Sequence, residues 1–292
     1  MLKESFLEYL SLERNYSDKT VTSYGTDIAK FEEYFKGVDE SLDFTVVDGD
    51  IIRGWIVKLM DEGYEAASVN RKLSSLRSFY RYLLRRKLVE ADPTQKVVGP
   101  KRKKPLPVFV KEADMDELLD AVDFGTGFKA SRNRLIIEMF YETGMRLSEL
   151  VGLNDRDVDF SASVIKVTGK RNKQRLIPFG GELKEDMLAY LSLRDDYAAD
   201  ASAFFVGKGG KRIERNAVYL LVKRYLSKVV MLKKKSPHVL RHSFATSMLN
   251  NHAELEAVKE LLGHESLKTT EIYTHATFEE LKKVYEQAHP RA

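Results

Sequence analysis

Four of the chain's seven prolines, Pro93, Pro100, Pro105 and Pro107, fall within fifteen residues around the run Lys101, Arg102, Lys103, Lys104. Proline fixes φ and removes a backbone donor, so neither a helix nor a sheet interior can run through that stretch. The chain must divide there. Residues 1–98 and 109–292 are expected to fold as separate domains, joined by an extended basic linker over 99–108. With 292 residues, 43% of them hydrophobic, both parts can bury a core. The absence of cysteine excludes disulfides and thiolate metal sites. At the N-terminus, MLKESFLEYLSLERNY breaks its apolar residues with charge every few positions, which fits neither a signal peptide nor a membrane span. A cytoplasmic location without a membrane partner is expected.

Before the linker the pattern is helical throughout. Phe6, Leu7, Tyr9 and Leu10 begin one segment; Ser17 can cap a second, which carries Tyr24, Ile28, Phe31 and Phe35. Ile51, Ile52, Trp55, Ile56 and Leu59 make a third. A fourth, after Ser68, sets Leu73, Leu76, Tyr80, Leu83 and Leu84 on one face at helical spacing. Arg77, Arg81 and Arg85 stripe a neighbouring face, with Arg71, Ser74 and Ser78 beside them. From Arg71 to Lys87 there are seven basic residues and no acidic one, on a chain whose net charge is only +4. Such a stripe is the electrostatic footprint of a phosphate-backbone binder. Arg71, Arg77, Arg81 and Arg85, with Lys101, Arg102, Lys103 and Lys104, are the expected DNA contacts. A basic face that is merely solvated gives the same pattern, and that reading stays open.

After the linker the chain is mixed but mainly helical. Helices are expected near 112–122, 130–143, 147–152, 181–194 and 214–229, then over about 238–251, 254–262, 266–275 and 278–288. Short β-rich runs lie at Val164–Thr168, Arg175–Pro178 and Phe204–Val206. The first two flank the turn-like Gly169–Gln174 and make a hairpin with Lys170 near its tip. The expected class is mainly α, with a small β-sheet or hairpin in the C-terminal domain.

Six residues of this half form an ordered series: Arg146 in TGMRLSEL, Lys170 in TGKRNKQRLIP, His238 and Arg241 in PHVLRHSFAT, His264 in LLGHESLKTT, and Tyr273 in EIYTH. Two arginines, two histidines and a lysine around one tyrosine describe a cationic pocket with a nucleophile in it. That combination suits a phosphodiester, where negative charge must be stabilised while the Tyr oxygen attacks phosphorus. Each short motif is weak alone, because a phenol of pKa about 10 is a poor nucleophile without help. His238 and His242 stand i, i+4 like a zinc pair, yet the internal Glu of HExxH is missing and no third ligand stands out. An Arg-His pair of the histidine-phosphatase kind needs a glycine after it and an N-terminal strand before it. Neither is present.

The whole series resembles the tyrosine recombinase, or phage integrase, family, which carries in order an Arg, a hairpin Lys, a His-x-x-Arg, a His or Trp, and a Tyr nine residues later. Here 273 − 264 gives nine, and 24 residues separate Arg146 from Lys170. HVLRHSFATSMLN, LLGHESLKTTEIYTH and the terminal HPRA are similar to the bacterial Xer subgroup, and the likeness spans essentially the whole chain. It implies a SAM-like helical core-DNA-binding domain followed by a catalytic domain. Arg146 and Arg241 would clamp the scissile phosphate, and Tyr273 would form a 3′-phosphotyrosyl link. Lys170 would act as general acid, His238 would assist proton transfer, His264 would hydrogen-bond the phosphate, and Glu149 would support them. One phosphodiester becomes another, so no cofactor, metal or ATP is required.

The implied partners are double-stranded DNA, a homotetramer or a heterotetramer with a sister Xer recombinase, and a DNA translocase as activator. Residues 278–292, an amphipathic helix with Leu281, Val284 and Tyr285, would dock on a neighbouring subunit. The implied role is resolution of chromosome dimers at a dif-like site during segregation. The alternatives are an integrase of a phage or mobile element and a non-catalytic architectural DNA binder.

Overall fold

A computed structural model describes residues 2–101, 108–169, 173–200, 202–263 and 275–292, with side chains of the last stretch from residue 278 onward. The chain splits into two compact units, Met1–Pro105 and Leu106–Ala292. It is mainly helical with one small sheet, as expected. Among the described residues no helix is long and apolar enough to cross a membrane.

Among the described residues the first unit is built from four helices, α1 (Leu2–Glu8), α2 (Asp18–Val38), α3 (Gly49–Asp61) and α4 (Ala66–Arg85), with a π-helical turn at Tyr9–Glu13 after the first. Ser17 does cap α2, its hydroxyl accepting the Thr20 N–H, and the Asp48 carboxylate caps α3 through the N–H groups of Asp50 and Ile51. The core is aromatic: Phe6, Phe31, Phe35, Trp55 and Phe79 are all essentially inaccessible. Two expectations for α4 need correction. The helix starts before Ser68, because Ala66 and Ala67 are strong helix formers that extend it back to Glu65. Leu84 is exposed, one position round from the buried line of Leu76, Tyr80 and Leu83, and Phe79 and Tyr82 are buried in addition. Beneath α4 lies a buried carboxylate, Asp27 of α2. It accepts from Arg71 at 2.5 and 2.9 Å, Lys72 at 2.9 Å and Ser75 at 2.8 Å.

The second unit opens with α5 (Glu112–Asp116), continued by a π-helical turn, then α6 (Phe128–Thr143) and α7 (Leu147–Gly152). Strands β1 (Val158–Asp159), β2 (Val164–Thr168) and β3 (Gln174–Pro178) form an antiparallel meander in the order β1-β2-β3, with Thr168 opposite Gln174 at the open end. Then come α8 (Gly181–Arg194), α9 (Arg215–Val229), α10 (Pro237–Asn250), α11 (Leu255–Leu262) and α12 (His275–Ala288). The two-residue β1 is too short to leave a sequence pattern. The helix expected over 266–275 lies, but for its last residue, outside the described residues.

Helix α6 is the centre of this unit, buried from Leu135 to Thr143 on every face, with α8 and α10 against it. It ends at Gly144, whose φ of 56° is left-handed and where a Cβ would stand 2.6 Å from the Phe244 ring. The strand expected at Phe204–Val206 is reduced to isolated antiparallel bridges, Asn154 with Ala203 and Val206 with Arg212. Those residues fill the core, and the Tyr190 hydroxyl bonds both the Phe204 carbonyl and the Val206 N–H, groups a longer ladder would have used. Leu281 and Tyr285 of α12 bury themselves beside Phe244, Met248, Val258, Leu261 and Leu262 of the same unit. The tail follows. His289 stacks on Phe244 and Tyr285, and Arg291 reaches Asp116 and Asp120. The apolar face expected to meet a neighbouring subunit is thus covered within the chain.

Candidate active site

Arg146 is the N-cap of α7 and Glu149 is the third residue of its first turn. The Arg146 N–H donates to Glu149 Oε2 at 2.7 Å and its guanidinium donates to Oε1 at 2.8 Å. The other face of the carboxylate is taken by Arg175 of β3, whose two terminal nitrogens donate to Oε1 at 2.8 Å and Oε2 at 2.9 Å. Burial alone would raise the Glu149 carboxyl, but the hydrogen bonds and charges of Arg175 and Arg146 outweigh it and hold it below the usual range.

The last carbonyls of α11 complete the arrangement. A helix end leaves such carbonyls without intrahelical partners. Here Arg175 Nε donates to the Leu261 oxygen at 2.7 Å, Arg241 Nη2 to Leu262 at 2.6 Å, and Arg146 Nη2 to Gly263 at 2.8 Å. Arg241 Nη1 also donates to the Gly144 carbonyl at 2.6 Å. Three guanidiniums from β3, α10 and the start of α7 converge on three consecutive residues. With Glu149 as their carboxylate they leave a surplus of two positive charges. Burial, then the neighbouring charges of Arg146 and Arg175, pull the Arg241 pKa down, so its charge is under-compensated. An anion placed here would relieve that field.

His238 lies on the first turn of α10, one turn before Arg241. Partial desolvation of the ring, on a residue that stays exposed overall, followed by the charges of Arg241, Arg215, His242 and Arg146, lowers its pKa. The shift favours the neutral imidazole, the form able to accept a proton.

Lys170, His264 and Tyr273 lie outside the described residues. The chain on either side of them is placed. Gly169 donates to the Lys173 carbonyl at 2.7 Å and closes the base of the segment that carries Lys170. Gly263, held by Arg146, immediately precedes His264, and α12 begins two residues after Tyr273. Sequence reasoning overlooked Arg175. Its signal is the strand period, since Arg175 and Ile177 are the inward positions of β3 and an inward arginine needs a buried acid.

Of the expected DNA contacts, Arg71, Arg81, Arg85 and Lys101 are exposed. Arg85 donates to the Tyr9 hydroxyl and Arg81 to the Arg77 carbonyl. Arg77 is part-buried and donates to the Val97 carbonyl. Arg71 is committed to Asp27, as is Lys72, which is 4% exposed and drops out of the basic surface. Arg102, Lys103 and Lys104 lie outside the described residues. A second basic stretch went unremarked in the sequence: Lys208 to Lys235 holds ten lysines and arginines and a single acid, Glu214. Most of these side chains, Lys211, Arg215, Lys223 and Lys228 among them, are exposed.

Known proteins resemble this chain along essentially its whole length. Residues 109–280 match the family model of the phage integrase family, and residues 4–87 match the phage integrase N-terminal SAM-like domain. The chain is 38% identical to tyrosine recombinase XerC of Chlorobaculum tepidum, over 98% of this chain and 94% of that protein. It is 34% identical to tyrosine recombinase XerD of Oceanobacillus iheyensis, over 99% of this chain and 98% of that one. Among solved structures, the XerH site-specific recombinase bound to a palindromic difH substrate shares the fold, with a TM-score of 0.74 and 22% identity over 96% of this chain and 83% of that one. The chain belongs to the phage integrase family and is a tyrosine recombinase.

Proposed function

We propose that this enzyme cuts and rejoins double-stranded DNA at a dif-like site, in the cytoplasm, to resolve chromosome dimers. The observation that carries the reading is the convergence of Arg146 and Arg241 on the end of α11, one residue before the segment bearing His264 and Tyr273. In the proposed reaction the Tyr273 oxygen attacks phosphorus while His238 takes its proton. The bond to the 5′-oxygen breaks, and Lys170 supplies the proton that oxygen needs. Arg146, Arg241 and His264 bind the non-bridging oxygens. Rejoining is the reverse, with a 5′-hydroxyl attacking the phosphotyrosyl bond. Energy is conserved in that link, so the scheme asks for no nucleotide or metal.

In the same reading residues 1–98 form a core-DNA-binding domain, 99–108 a basic linker and 109–292 the catalytic domain. Arg81, Arg85 and Lys101 to Lys104 meet phosphates, with Arg77 and Arg71 at the edge of that surface, and the exposed Lys208–Lys235 stretch adds contacts from the catalytic unit. Four protomers act on two duplexes, as a homotetramer or with a sister recombinase, under a DNA translocase as activator.

The test is a nicked suicide duplex carrying the host's candidate dimer-resolution site, incubated in EDTA with wild type and with Tyr273→Phe. An SDS-resistant protein–DNA adduct in wild type alone is the expected result. A specific gel shift without adduct would overturn the self-sufficient catalytic scheme, and neither shift nor adduct would overturn the choice of site.

A further inference from the structure

Arg175 is 8% exposed, and each of its three nitrogens already has a protein acceptor: both oxygens of Glu149 and the Leu261 carbonyl. Arg241 is as little exposed, at 9%, but both its terminal nitrogens hold neutral carbonyls that a phosphate can replace, whereas those of Arg175 are spent on a carboxylate; the Arg146 side chain is 33% exposed. The fold makes room for Arg175. Gly263 adopts a left-handed φ of 62°, and a Cβ at that position would stand 3.0 Å from the Arg175 side chain.

We propose that Arg175 is a positioning residue of the recombination reaction. It ties Glu149 and the C-terminal end of α11 into one rigid body, and through them sets where Arg146 points and where the His264–Tyr273 segment begins. The logic is one of division of labour. Arg146 and Arg241 also hold α11 carbonyls, but a phosphate that enters the site competes for their N–H groups. Arg175 keeps its grip whether or not phosphate is bound, so α11 stays in place while the other two arginines turn to substrate. Glu149 is the second half of the device. It faces Arg146 from its own helix, Arg175 from β3 and Arg241 from α10; α11 presents only carbonyls, and the cleft beside it is lined by Arg156, Asp157 and Lys166. Without Arg175 the buried Glu149 carboxyl rises towards neutrality, and once protonated it releases Arg146.

The inference rests on the recombinase reading, and the assay separates the two. Single-turnover cleavage of the suicide duplex is measured for wild type, Arg175→Met, Arg175→Lys and the double variant Arg175→Met/Glu149→Gln, alongside gel-shift affinity. Arg175→Met is expected to cleave slower by on the order of a hundredfold, the cost of misplacing a clamp, with DNA affinity unchanged. Its rate should recover relative to wild type as pH rises from about 6 to about 9, and the double variant should lose that recovery. Should Arg175→Met fail to fold, Arg175→Lys carries the test. It keeps the charge opposite Glu149 but cannot hold both carboxylate oxygens and Leu261, so it should cleave more slowly with no added pH dependence. Variants that cleave at the wild-type rate, or that lose affinity and rate together at every pH, would overturn the role. A wild-type protein that binds the duplex and forms no adduct would overturn the proposed catalytic scheme and this inference with it.

Discussion

Arg241 binds only neutral carbonyls among the described residues, and that makes it the site's sharpest point of sensitivity. A lysine there keeps the charge but cannot span the Gly144 and Leu262 oxygens or grip a phosphate in two places. Arg241→Lys should therefore lose roughly 10²–10³ in cleavage rate, as for a preorganised donor. Leaving a buried carbonyl unsatisfied should also cost about 1–3 kcal/mol in urea unfolding. His238 sets the acid limit. Its pKa is depressed, so the neutral base persists to lower pH than an ordinary histidine allows. The acid limb of the cleavage profile should fall below about pH 6.5, and His238→Gln should remove that limb. Glu149 and Asp27 add an acid dependence of another kind. Both carboxyls are held below their usual values, so their stabilisation is complete above the unfolded carboxylate range and lost as pH falls through the lower folded values.

At the scale of elements, α6 contains the opposite case. Glu138 and Glu142 lie one turn apart, fully buried, and neither oxygen of Glu142 has a hydrogen-bond partner among the described residues. Burial pushes the Glu138 carboxyl up to about 7 and that of Glu142 up to about 9. The folded state therefore holds more protons than the unfolded one between the ordinary glutamate range and those values, and stability declines as pH rises through that window. Glu142→Gln should raise the unfolding free energy by at least about 1 kcal/mol at pH 8, and by less at pH 5. That pair was illegible in the sequence because α6 is buried all round, so its glutamates occupy positions that on an amphipathic helix would face water. The caps, the apolar stripes and the proline-rich division could be read because each is a local signal. Ser17, the Phe31/Phe35 pair and Pro237 at the start of α10 are of that kind. Phe204–Val206 misled because an apolar run looks alike in a ladder and in a core. Arg175 escaped because its acid partner is 26 residues away in the chain, and only the fold brings the two together.

For the molecule as a whole, the C-terminal segment changes its meaning. Truncation after Thr277 strips Leu281 and Tyr285 from Phe244, Met248 and Leu262, and deprives Asp116 and Asp120 of Arg291. The truncated protein should melt more than about 5 °C below the full chain in the absence of DNA, as judged by thermal unfolding, so loss of fold stability precedes any effect on assembly. The three arginines that meet the end of α11 have a wider consequence for heredity. Their acceptors at Leu261, Leu262 and Gly263 are main-chain oxygens, which every amino acid supplies alike. Lineages are free to exchange Leu261 and Leu262 for other apolar residues without touching the chemistry. The donors and the glycine have no such latitude, so mutational drift around this centre is channelled to one side of each bond.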